Sequence, residues 1–290
     1  MLLEDYQACL VLRNYQPATL QKNVQLAKRF FKHVGEAENI NSLCIEQYLK
    51  DLHQQGRSIK TIKNHLTAIK VFCDFLHRHR HIKENPANYI TPLRMPEEVP
   101  VCLTEGEIRK VYEIGDEFDM LCEVTLALNI GMRMSEMRRL QWRDIDLDNR
   151  QLIVKKSKSK RPRTIPINQK VMIQLRRQYE RFYDLVFVFP SGRGGPGHRS
   201  KWTLPKMRGV NWWSKKSIKQ LQPHIPSIAE LPEGSTGRGW HALRHTFATR
   251  AIKAGIDLIT VRDWMGHRKI DTTMRYIHVA RHYDKRIELL

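Results

Sequence analysis

Apolar residues recur at helical spacing three times in the N-terminal third of the chain. Leu20, Val24, Ala27, Phe31 and Val34 fall on one face of residues 19–35, with Pro17 ahead of them and Gly35 placed to cap the end. Ile45, Tyr48, Leu49 and Leu52 repeat the pattern over residues 42–52, stopped by Gly56. Ile59, Ile62, Leu66, Ile69 and Phe72 carry it from Ser58 to about Leu76. The spacing predicts amphipathic helices forming a small bundle. Between Glu84 and Val101 the stretch ENPANYITPLRMPEEVP is proline-rich and keeps no period, which marks an extended linker.

Beyond the linker the pattern changes. Thr104 followed by Glu107 is a capping-box pair that opens a helix. A largely apolar helix over residues 121–129 ends at Gly131. Residues 151–155 and 163–167 alternate as two strands around the basic turn SKSKRPR, a β-hairpin. Helical spacing returns over residues 242–254 and 258–265. The predicted fold is therefore mainly α with a small β-sheet, divided into a helical domain at 1–90, a linker at 91–103 and a second domain at 104–290. Residues 190–239 show no legible period. Gly192 and Gly197 have the spacing of a phosphate-binding loop, but His198 stands where that motif needs lysine, which excludes nucleotide binding there.

Length and charge narrow the function. A chain of 290 residues exceeds the usual single domain, and each part is large enough to bury a core. Fifty Lys and Arg against thirty Asp and Glu leave a formal charge of +20, so much of the surface faces a polyanion. Nucleic acid fits best. No apolar run approaches the roughly 18–20 residues of a spanning helix, and no secretory signal opens the chain, so a membrane is not expected as partner and a cytoplasmic location is. In the third helix Lys60, Lys63, Asn64 and Lys70 lie on or near the face opposite the apolar stripe, where a phosphate backbone could run, or where they form a solvated basic face. Cys9, Cys44, Cys73, Cys102 and Cys122 are odd in number, scattered and never spaced C-x-x-C, so they read as small buried apolar residues, not as a disulfide framework or zinc site. His77, His79 and His81 sit among arginines with no carboxylate cluster, so neither metal nor cofactor is expected.

Cleaving a phosphodiester without metal or nucleotide requires fixed cationic donors, a nucleophile and an acid for the leaving alkoxide. Arg133, in GMRMSEMRRLQW, follows a helix-breaking glycine and has Glu136 one turn on; Arg244, in HALRHTFATR, shares a helix face with His241. Each is a phosphate ligand or an ordinary surface or structural residue. In WMGHRKIDTTMRYIHV, His267 follows a glycine and Tyr276 comes nine residues later, across a loop leading into a short helix. Tyr276 is either a nucleophile whose phenolate nearby cations stabilise or a core aromatic. The hairpin turn supplies lysines as candidate acids.

Taken in order, G-x-R-x-x-E, S-K-S in a hairpin, H-x-L-R-H-T, G-H and Y-x-H closely resemble the tyrosine recombinases, or phage integrases, from about Thr104 to the end; the helical segment and its NPA-containing linker look like that family's core-binding domain. The resemblance implies that the second domain is a mixed α/β catalytic domain. It further implies that Arg133 and Arg244 bind the scissile phosphate, that His241 and His267 assist, that Lys158 protonates the 5′-oxygen and that Tyr276 forms a 3′-phosphotyrosine bond. It also implies a synaptic homo-tetramer on double-stranded recombination sites, passing through a Holliday junction, with residues 279–290 docking on a neighbouring subunit. The chain resembles the simpler Xer-like or mobile-element members. Two other outcomes remain open to the same residues: type IB topoisomerase-like strand relaxation, or a non-catalytic DNA-binding protein that keeps the fold.

Overall fold

The computed structural model describes residues 2–94, 99–155, 162–189, 218–229, 235–236 and 239–280. The chain divides into two compact units, Met1–Pro96 and Glu97–Leu290.

The first unit contains α1 (Leu2–Leu12), α2 (Pro17–Val34), α3 (Ser42–Gln54) and α4 (Ile59–Arg78). The last three are the helices that the periodicity predicts, and local chemistry sets their ends. Pro17 starts α2 at the position where its missing N–H costs nothing, and Gly35 closes it at φ 88°. The Asn41 side chain accepts from the Cys44 amide and Ser58 accepts from the Thr61 amide, capping α3 and α4. α1 was not expected, because LLEDYQACLVL carries apolar residues around most of its circumference and shows no clean stripe. Its Tyr6 and Leu10 are nonetheless completely buried with Phe30, Ile45, Ile69, Phe72 and Leu76. The Tyr6 ring meets Phe72 edge-on at 5.0 Å between centroids. The first part of the expected linker is packed, with Pro86 and Ala87 in a single-turn helix and Ile90 against the same core.

On the outer face of α4, Lys60, Lys63 and Asn64 are exposed and Lys70 is half-buried. Asn64 Oδ1 accepts from Lys22 Nζ of α2 at 2.8 Å, so a basic residue of a second helix joins this face.

In the second unit α5 (Glu105–Glu117) opens on the expected capping box, with Glu107 accepting from the Thr104 amide at 2.8 Å and its own amide donating to Thr104 Oγ1 at 3.2 Å. α6 (Leu121–Ile130) is the central helix, packed on α5, α8 (Gln169–Phe182) and α10 (Trp240–Lys253). Contact on several sides explains its nearly unbroken apolar sequence. α7 (Met134–Met137) leads to an antiparallel sheet of β2 (Ile145–Asp146), β3 (Gln151–Val154) and β4 (Arg163–Pro166), with Leu152 opposite Ile165. The β3–β4 hairpin is the predicted one; β2 extends it. α9 (Pro226–Ala229), α11 (Leu258–Met265) and α12 (Asp271–Ala280) complete the helices named here. The linker's far end also departs from expectation: β1 (Val99–Pro100) pairs in parallel with β5 (Ser235–Thr236).

All five cysteines are free; Cys73 and Cys122 are buried as expected, while Cys9, Cys44 and Cys102 are only partly covered. No described helix is long and apolar enough to cross a membrane, and no described group of His, Cys, Asp and Glu could hold a metal ion. Most of residues 190–239, where the sequence shows no period, lies outside the described residues.

Candidate active site

Two glycine turns shape the site. Gly131 ends α6 in the left-handed conformation at φ 60°, and a Cβ there would lie 2.3 Å from Phe247 Cδ1 of α10. Only glycine allows both the turn and the close approach. Gly266 ends α11 at φ 62°, where a Cβ would meet the Arg163 guanidinium at 2.9 Å. Arg133 follows the first turn and His267 the second, so both side chains leave from helix ends.

These turns also present carbonyl oxygens. Arg244, on α10 and only 4% exposed, donates through Nη1 to Gly131 O and through Nη2 to Met265 O and to His267 Nε2, the last at 3.2 Å. Arg133 donates through Nη2 to Gly266 O at 3.0 Å and through Nη1 to Glu136 Oε1 at 2.9 Å. Arg163, the first residue of β4, donates to Trp264 O at 2.7 Å and grips both oxygens of Glu136, at 3.1 and 2.7 Å. The last-turn carbonyls of α6 and α11 carry the negative end of each helix dipole, so they hold guanidiniums well.

Glu136 is thus a buried carboxylate between two arginines. Burial alone would raise its pKa, but the Arg163 hydrogen bonds, followed by the charges of Arg163 and Arg133, outweigh it and leave the group below its ordinary value. With its folded value depressed, Glu136 contributes stability above the ordinary carboxylate range and loses that contribution as pH falls through the lowered value. Glu136→Gln should therefore cost about 3 kcal/mol at neutral pH, by leaving Arg133 and Arg163 under-compensated. Urea unfolding at pH 7 and again in acid checks this: the gap between variant and wild type must narrow in acid.

Three guanidiniums against one carboxylate leave the pocket short of negative charge. Burial and then Arg133 push the Arg244 pKa down to about 9, which still leaves it a cation at neutral pH. The histidines are lowered too, and His267 loses its charge. Burial, then Arg244 and Arg133, push His267 down to about 3. It is neutral, its Nε2 accepts from Arg244, and the proton therefore sits on Nδ1, which donates to Thr273 Oγ1 at 2.9 Å. His241 is lowered by burial and by the charges of Arg244 and Arg133, although the residue as a whole is exposed.

Tyr276 is on α12, which packs against α10 and β1. It is 2% exposed, in a cluster with Phe247, Ala248, Ala251, Val261 and Met265. Its ring lies nearly parallel to that of His267, 6.2 Å away, and its hydroxyl is 2.6 Å from Nδ1 of His245. Burial raises the phenol to about 12 against the lowering charge of Arg244. The pocket thus gathers Arg133, Arg244, His267 and Tyr276, with His241 at its rim. Lys158 lies outside the described residues; next to that turn, Lys155 pairs with the buried Asp144. The helical-face residues Lys60, Lys63, Asn64 and Lys70 belong to the first unit.

Arg163 and His245 joined the site without having been singled out. Arg163 read as a strand residue. His245 follows Arg244 directly, and neighbours on a helix point about 100° apart, so nothing local links it to a tyrosine 31 residues away.

A model of the phage integrase family matches residues 102–282. A tyrosine recombinase of Thermosipho africanus (strain TCF52B) is 27% identical over 288 residues, covering 96% of this chain and 94% of its own. The tyrosine recombinase XerC of Chlamydia trachomatis serovar L2 (strain ATCC VR-902B / DSM 19102 / 434/Bu) is 30% identical over 251 residues, covering 84% of this chain and 74% of its own. Among solved structures, a lambda integrase tetramer bound to a Holliday junction superposes with a TM-score of 0.75 at 18% identity, covering 98% of this chain and 78% of its own.

Proposed function

Because this chain belongs to the phage integrase family, we propose that its paired arginines and Tyr276 carry out the strand exchange of a site-specific tyrosine recombinase. The chain cuts and rejoins DNA at specific sites. In this reading Arg133 and Arg244 bind the non-bridging oxygens of the scissile phosphate, and Tyr276 Oη attacks phosphorus in line with the departing 5′-oxygen. The P–O bond to tyrosine forms as the P–O5′ bond breaks, the phenolic proton passes to the neutral imidazole of His241, and Lys158 supplies the proton to the 5′-oxygen. His241 and His267 hydrogen-bond the phosphate as its charge shifts. The tyrosyl ester conserves the energy of the backbone bond, so a 5′-hydroxyl of a second strand restores the phosphodiester and releases Tyr276 without nucleotide or metal.

The single observation carrying this reading is that guanidiniums from two separate segments and the phenol of a third line one buried, cation-rich pocket. Its donors are fixed before the anion arrives, as electrostatic stabilisation of a transition state requires. The phenol is closed to solvent here, so DNA binding must uncover it. Working units of four on paired double-stranded sites are part of the proposal, supported by the Holliday-junction tetramer of the lambda integrase fold relative. So are the domain roles: residues 1–90 hold the DNA through the face bearing Lys60, Lys63, Asn64 and Lys70, residues 91–103 link, and residues 104–290 perform the chemistry in the cytoplasm. Strand relaxation of the topoisomerase type is not favoured, since relatives matching nearly the whole chain are named tyrosine recombinases.

A duplex nicked just to the 3′ side of the cleavage point loses the short strand that bears the freed 5′-hydroxyl and so traps the adduct. Proteolysis and mass spectrometry should place the DNA on the peptide containing Tyr276, joined through a 3′-phosphate. DNA on another residue, or linkage to a 5′-phosphate, would exclude the mechanism.

A further inference from the structure

We propose that His245 is a positioning residue for the nucleophile, holding Tyr276 Oη at the edge of the arginine pocket through a hydrogen bond accepted by its Nδ1; the inference rests on the functional reading above. The contact is 2.6 Å long, short even for a hydroxyl donor, and both groups are largely shielded from water. It is also the one hydrogen bond identified for the phenolic oxygen among the described residues. A tyrosine fixed only by its ring keeps freedom to tilt, whereas one tied at the hydroxyl has its reactive atom placed. The tie comes from α10, the same helix that carries Arg244 and His241. One rigid element therefore sets both the phosphate ligand and the attacking oxygen, although the oxygen belongs to α12.

Two roles are conceivable for an imidazole in this place, and the protonation states separate them. Burial, followed by His241, Arg244 and Arg275, drives His245 down to about 3, while the phenol stands at about 12. In this arrangement the imidazole holds a proton far more weakly than the phenolate does. The proton stays on oxygen, and His245 acts as an acceptor that orients, not as a base that removes. A side chain that accepts but cannot be protonated should then serve as well as histidine. Asparagine is that side chain, because its Oδ1 occupies the place of Nδ1.

The test compares His245→Phe, which keeps a ring and loses the acceptor, with His245→Asn, using single-turnover cleavage of the nicked duplex at saturating protein. His245→Phe should cut the cleavage rate about 10- to 100-fold, the usual consequence of a nucleophile misplaced by about 1 Å. DNA affinity and melting temperature should change little. His245→Asn should recover the rate to within about fivefold of wild type and keep the shape of its pH–rate profile. Wild-type cleavage by the phenylalanine variant, an asparagine variant as slow as phenylalanine, or a pH limb lost in asparagine alone would each overturn the proposal. If the wild type formed no adduct, the functional reading would fall and take this inference with it. If the wild type cleaves and His245→Phe matches it, only the inference falls.

Discussion

A Tyr276→Phe protein should bind its DNA as tightly as the wild type and form no covalent complex with it. The substitution removes one oxygen atom. The ring stays in its cluster with Phe247, Ala248, Ala251, Val261 and Met265, so the fold loses only the hydroxyl's contact with His245. That loss costs about 1 kcal/mol, too little to unfold a domain of this size. The chemical loss is of another order. No other described hydroxyl shares the pocket in the same way, and removing a covalent nucleophile lowers turnover by about four orders of magnitude or more. Denaturing gels of the nicked substrate would show the adduct band for wild type and none for the variant. An undiminished band would assign the attack to a different atom.

Arg244→Lys should lower single-turnover cleavage by on the order of 10³-fold, the penalty for losing a fixed donor at a developing charge. Lysine keeps the positive charge, so the experiment isolates shape. The guanidinium of Arg244 reaches Gly131 O, Met265 O and His267 Nε2 at once because its nitrogens lie in one rigid plane. A single ammonium cannot span those acceptors and still face a phosphate. His267 then loses the donor that holds its tautomer. Gel-shift affinity should fall far less than the rate, since most of the attraction between a strongly basic chain and DNA comes from many other cations. A variant within tenfold of wild type would mean that charge alone suffices at residue 244.

The sequence made some of this legible and hid the rest for physical reasons. α2, α3 and α4 each bury one stripe, so periodicity announced them, and the Thr104–Glu107 box and the two glycine caps are local events that a short window contains. Arg133, Arg244, His267 and Tyr276 could be picked out because their motif order resembles a family. From their types alone, each had an ordinary structural explanation. α1 escaped notice because its apolar residues surround the helix, and α8 because charged residues outnumber the three that it buries, Val171, Met172 and Leu175. β1 and β5 have two residues each and pair across most of the second unit's length, so no period could betray them. Arg163 and His245 became visible only through packing: one crosses from the sheet to Glu136, and the other meets Tyr276 because α12 lies on α10.

The carbonyls that hold Arg133 and Arg244 come from the final turns of α6 and α11, where a helix begins to fray on warming. The same atoms terminate two pieces of backbone and aim two side chains. Loosening either terminus by a single turn would turn the guanidiniums away from their target while the hydrophobic interior was still intact. On heating, this protein should consequently become catalytically silent at a lower temperature than the one at which its core melts, and cooling should bring the activity back.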